Sequence, residues 1–188
     1  MNLQDEMRRA VFEVRQPHLD ALFAAGVPGE ALADLGSRQA PFGVAMIGHN
    51  SEGLWWPDDA GVPRLLVPCY ERGEIVDIVA LKPAQPDIWF HRTGVATILG
   101  ADLLATCVKD VSLDVVGTPI DWLAKGGEAV CVLNWAAPFH ELSPLRDWPE
   151  LRVDSVRLSR IVRQRLSQPY PIPKITLQLK EAYRDLAA

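Results

Sequence analysis

The sequence predicts an α+β fold, with α/β as the alternative: a mixed sheet, an N-terminal helical hairpin and a C-terminal helix. Three observations predict it. Apolar residues recur at helical spacing through the first 36 residues, and from Pro41 onward runs of branched residues between tight turns replace them. The stretch "LDVVGTPIDWLAKGGEAVCVL", Leu113 to Leu133, then reads as strand, turn, short helix, strand. These changes of texture divide the chain into 1–40, a helical hairpin, 41–150, a mixed core, and 151–188, a C-terminal helical segment.

Residues 4 to 25 read as helix, with Val11, Val14, Leu19, Leu22 and Phe23 at helical spacing, Pro17 kinking or splitting the segment and Gly26 stopping it. "PGEALADLG" follows as a second short helix, opened by Pro28 and closed by Gly36. "FGVAMIG", "LLVPCY" and "EIVDIVALKP" read as strands. Asp58, Asp59 and Gly61 form a turn, and Glu71-Arg72-Gly73-Glu74 is a hairpin connection of four-residue type in which Gly73 takes a positive φ. "DIWFHR" is another short strand, and Thr93 is placed to cap a helix over "GVATILGADLLATC". Residues 147–150 are a loop. "VDSVRLSRIVRQRLSQ" is an amphipathic helix, with Val153, Val156, Leu158, Ile161, Val162 and Leu166 on or near one face. "PYPIP" breaks that helix, and "KITLQL" and a short terminal helix end the chain.

A chain of 188 residues with 48% hydrophobic and 23% charged residues buries a core without staples. The net charge of −5 argues against a wholly basic nucleic-acid-binding surface, while leaving room for a local strip. Cys69, Cys107 and Cys131 form no CxxC pair and sit in apolar contexts, as buried thiols of a reducing cytoplasm do. The first residues lack the apolar stretch of a signal peptide, and no run approaches the roughly 20 apolar residues of a membrane span. A cytoplasmic protein without a membrane partner is expected.

Five groups of residues could carry chemistry. "GHNSEG" puts His49, Asn50, Ser51 and Glu52 in one loop, as acid–base residues or as polar turn chemistry. "WFHRTG" gathers His91, Arg92 and Thr93 before the expected helix, as an anion site or as a plain cap beside a solvated arginine. Six tryptophans could stack bases, but few basic residues lie near the pair Trp55 and Trp56 beyond Arg64, so core or interface roles fit most of them. Arg157, Arg160 and Arg163 form one stripe, either a solvated face or a contact for phosphates or an acidic partner. His18, His49, His91 and His140 lie too far apart for zinc spacing, and no metal or other cofactor is expected.

The order of elements resembles the Toprim-containing DNA primases of phages and plasmids. The hairpin "LDALFAAGVPGEALADLG" precedes a meander, "RLLVPCYERGEIVDIVALKP", and "DVVGTPIDWLAKGGEAVCVLNW" looks like the opening of a Toprim domain. The resemblance covers residues 19 to 135. It implies a glutamate at the turn after the first Toprim strand, but Gly117 stands there, and Thr118 stands where a glycine would follow. Asp121 falls at the turn aspartate, and no Asp-x-Asp pair occurs among Asp147, Glu150 and Asp154. Those carboxylates would hold magnesium, which takes hard oxygen ligands.

A non-catalytic relative is therefore expected, acting in a mobile element or replication system by binding nucleic acid (DNA or RNA) or a replication protein. Arg64, Lys82, His91, Arg92 and Thr93 are the expected contact residues. The alternatives are a small cytoplasmic enzyme or nucleotide-binding protein using the His49 and His91 loops, and a structural partner subunit. The sequence leaves the oligomeric state open.

Overall fold

The structure, a computed structural model, describes residues 2–106 and 112–168. Its first helix, α1 (Leu3–Phe12), is capped by the Asn2 side chain, which accepts from the Gln4 N–H. The chain then breaks, and α2 (Gln16–Ala24) begins afresh with Pro17 in its first turn. Proline lacks an N–H, so it is tolerated where that N–H has no helical partner. The break therefore comes before Pro17, and of the two expected outcomes, a kink or a split, the segment is split into two helices. Gly26, at φ +91°, ends α2, with the Val27 N–H reaching back to the Leu22 carbonyl at 3.0 Å. The helix α3 (Gly29–Gly36) completes the hairpin.

The meander is a five-stranded antiparallel sheet of β1 (Gly43–His49), β2 (Trp55–Pro57), β3 (Val62–Glu71), β4 (Glu74–Lys82) and β5 (Gln85–His91), in the order β2-β1-β3-β4-β5. Arg72 and Gly73 both take positive φ, 55° and 79°, in a two-residue connection between the paired Glu71 and Glu74, which replaces the expected four-residue connection because both strands pair up to the turn. Side chains alternate across the sheet. Leu65, Val67, Cys69, Val79 and Leu81 face the α2–α3 hairpin, whereas Leu66, Ile78 and Ala80 face Met7 and Ala10 of α1. Trp55 is fully enclosed on that second side and donates its indole N–H to the Ile78 carbonyl at 2.8 Å. The strand that carries Trp55, β2, is too short for sequence periodicity to reveal it.

A second sheet joins β6 (Ile98–Leu99), β7 (Leu113–Val116), β8 (Val130–Val132) and β9 (Leu151–Val153) in the order β6-β8-β7-β9. β7 runs parallel to both β8 and β9, and β6 is antiparallel to β8. Between the strands lie α4 (Ala101–Thr106), α5 (Pro119–Ala124), α6 (Phe139–Leu142) and a 3-10 turn over Ser143–Asp147, and α7 (Val156–Leu166) follows β9. One face of this sheet shares a core with the α2–α3 hairpin and the first sheet. The other packs on α7, Leu142, Leu145 and Trp148. The fold is α+β, as expected. No helix among the described residues is long and apolar enough to cross a membrane.

Several local expectations need correction. "GVATILGADLLATC" does not form one helix: Ile98 and Leu99 pair with β8, Gly100 turns at φ +85°, and helix begins at Ala101. Thr93 therefore caps no helix, and its hydroxyl donates to the Val76 carbonyl at 3.1 Å. The chain after Glu150 enters a strand, β9, before its helix starts. Val156 is 70% exposed, so the apolar face of α7 is carried by Leu158 and Val162. Cys107 and the expected elements after Gln168 lie outside the described residues.

Gly100 offers a direct check on this junction. A Cβ there would stand 2.5 Å from the Ala129 carbonyl oxygen and 2.8 Å from the Trp122 indole nitrogen, in a left-handed conformation. Backbone and a buried ring leave no room to yield. Gly100→Ala is expected to cost about 2–3 kcal/mol in urea unfolding.

Candidate functional site

Most of the expected contact residues serve the fold. Asp77 on β4 has no exposed surface, and five donors surround its carboxylate. Oδ1 accepts the N–H groups of Ile78 at 2.8 Å, Arg92 at 3.0 Å and Thr93 at 2.9 Å. Oδ2 accepts the Ala96 N–H at 3.3 Å and meets His91 Nδ1 at 3.0 Å. Burial alone would raise the Asp77 pKa. The hydrogen bonds from His91, Thr93 and Ile78, with the charge of His91, outweigh burial and hold it below the usual carboxylate range. The acid thus pins the segment from His91 to Ala96, which carries the chain from the first sheet to the second.

Arg92 also points inward. Its guanidinium forms a two-pronged pair with Glu6 of α1, at 2.9 Å and 3.0 Å, and lies 5.5 Å from the centroid of a Trp55 ring. Glu6 is buried. His91, Arg92 and Thr93 are therefore committed to Asp77, Glu6 and Val76, which explains their close spacing without an anion. Arg64 and Lys82 lie elsewhere, at the far end of β3 and β4, one step beyond the Leu65–Leu81 pair. The five residues do not form one patch.

The His49 and His91 loops come close but share no site. His49 stacks on Phe90 at 4.0 Å between ring centroids, while His91, the next residue, points to the other face of β5. Asn50 accepts from the N–H groups of Glu52 and Leu54, so "GHNSEG" is polar turn chemistry. Cys69 and Cys131 are buried, and burial pushes both thiols up, which leaves them inert.

A crevice of about 510 Å³ does form at the other expected place, the bend after β7. The connection from β7 runs through α5 to β8, and the chain then crosses back to place β9 on the opposite flank of β7. In such sheets ligands settle outside the carboxyl ends of the strands, where the connections diverge. Gly117, Thr118 and Asp121 line the crevice from the β7 side, Trp135 from beyond β8, and Asp154, Ser155 and Arg157 from beyond β9. Strand alternation puts Asp87 and Trp89 on the inner face of β5, and they close the remaining wall.

Several polar side chains of the crevice have local work at the helix caps. Thr118 caps α5: its hydroxyl oxygen accepts from the Asp121 N–H at 3.2 Å, and its O–H donates to Asp121 Oδ2 at 2.7 Å. Ser155 caps α7, accepting from the Leu158 N–H at 3.2 Å. Gly117 offers no side chain. Asp87, Asp121 and Asp154 line one crevice, yet among the described residues no group of three or more His, Cys, Asp or Glu side chains could hold a metal ion. The residues present do not fit the magnesium site that the resemblance implies.

Asp87, Trp89, Trp135, Asp154 and Arg157 were not singled out as one site from the sequence, because they come from three distant segments. The Asp-Ser step that follows "LRV" is the nearest signal, since it marks both a strand end and a helix cap. Compared with family models, with curated proteins and with solved structures, the chain finds no match in any of the three.

Proposed function

We propose that this protein is a non-catalytic relative of the Toprim-containing primases that serves a replication system by binding a protein partner through the crevice at the ends of β7, β8 and β9. One observation carries the reading: the crevice lies where a parallel sheet presents ligands, and its bend has Gly117 and a capping Thr118 in place of metal-holding side chains. Nucleic acid is the second expected ligand, and two facts weigh against it. Arg92 and His91 are occupied by buried acids, and the crevice walls bear three carboxylates against one guanidinium, Arg157. Phosphates need the opposite balance.

The test is fluorescence anisotropy with labelled single-stranded and duplex DNA at roughly 50 and 200 mM salt. The expected result is no complex at either salt concentration. A complex that weakens steeply with salt, and weakens further in Arg64→Ala/Lys82→Ala, would replace the protein partner with nucleic acid.

A further inference from the structure

We propose that the element recognised in the crevice is an arginine side chain presented by the partner. This rests on the reading above and narrows it to a residue class. The crevice is lined by two partly buried indoles, Trp89 and Trp135, with the apolar Leu158 and Ile161 beside them. Asp87 and Asp154 are exposed on its rim, and among the described residues their carboxylates have no hydrogen-bond or ion-pair partner. Asp121 is half-buried, with Oδ2 bonded to Thr118. With Arg157 counted against them, these three carboxylates leave a surplus of two negative charges around an aromatic cleft.

That combination selects a particular cation. A guanidinium is planar, lies flat on an indole and still presents paired N–H groups to a carboxylate at its edge. An ammonium is a more strongly hydrated point charge and gains less from both contacts. The volume falls within the ~300–1,000 Å³ of small-ligand clefts, which accommodates a long side chain and adjoining backbone. The same fold already shows the pairing, since Arg92 lies over Trp55 while bridging to Glu6.

The experiment is a titration of the full chain with hepta-arginine peptide, followed by tryptophan emission, with hepta-lysine, oligo-dT and magnesium chloride as parallel ligands. Asp87→Asn/Asp154→Asn and Trp135→Leu are compared with the parent after circular dichroism shows that each is folded. The arginine peptide is expected to bind the parent several-fold more tightly than the lysine peptide. It should weaken about tenfold or more in the double aspartate variant, as loss of a charge-assisted contact does, and also in Trp135→Leu. Equal affinity for parent and double variant would overturn the proposal, as would equal affinity for the two peptides. Oligo-dT binding that disappears in Arg157→Ala would overturn it in favour of nucleic acid. Magnesium that displaces the peptide, and does so only when both aspartates are present, would overturn it in favour of a metal ion. The DNA titration decides the protein-partner reading independently of these results.

Discussion

Replacing Asp77 with alanine is expected to lower the unfolding free energy by about 3–5 kcal/mol, read as a shift of the urea midpoint. The magnitude follows from what remains after the carboxylate goes. The N–H groups of Ile78, Arg92, Thr93 and Ala96 and the His91 ring lose their acceptor together, in a place water enters poorly. Each unsatisfied buried donor costs about 1–3 kcal/mol, and relaxation of the segment from His91 to Ala96 returns part of that sum. Asp77→Asn keeps the shape but turns an NH2 group toward other donors, so it is expected to recover only part of the loss. The same site sets a pH dependence. Because the folded-state pKa of Asp77 lies below its unfolded value, its contribution is fully present above the ordinary carboxylate pKa of about 4. It is lost as the pH falls through the lower folded value. Parent and Asp77→Asn should therefore converge in stability on acidification, as urea titrations at a series of pH values would show.

Arg92→Ala is the second large effect, expected at about 3–5 kcal/mol, because it strands the buried Glu6 carboxylate. Loss of the contact with Trp55 adds to it. The expected recovery identifies the cause. Glu6→Leu/Arg92→Met removes both charges and fills a similar volume, and such replacements of buried ion pairs are often close to neutral. A double variant near parental stability beside a strongly destabilised Arg92→Ala would attribute the loss to the unpaired acid. A double variant as unstable as the single one would point to Arg92 packing instead. Arg92→Ala is accordingly unsuited as a probe of ligand binding.

The sheet around β3 and β4 was legible because branched residues recur there and Gly73 marks the turn between them, whereas the positive φ of Arg72 left no signal. Ile98 and Leu99 were misread as helix because two residues are too few to show a period, and their pairing partner, β8, lies more than thirty positions away. Arg92 looked available for the same reason: Glu6 is 86 residues distant. Asp77 did leave a trace, as a lone acid at an inward-facing position of "EIVDIVALK". A charge in that register must be paired or solvated, so it announces a structural clamp. The bend after β7 was found from its strand–turn–helix pattern, whereas the opposite walls of the crevice depend on β5 and β9 meeting it in space.

Assaying the full chain for magnesium- or manganese-dependent nicking of supercoiled DNA and for primer synthesis, beside Asp121→Asn/Asp154→Asn, tests most directly whether this crevice binds without catalysing. The expected result is product at the level of the reaction without protein, for parent and variant alike. Metal-dependent turnover by the parent that the aspartate variant abolishes would contradict the account.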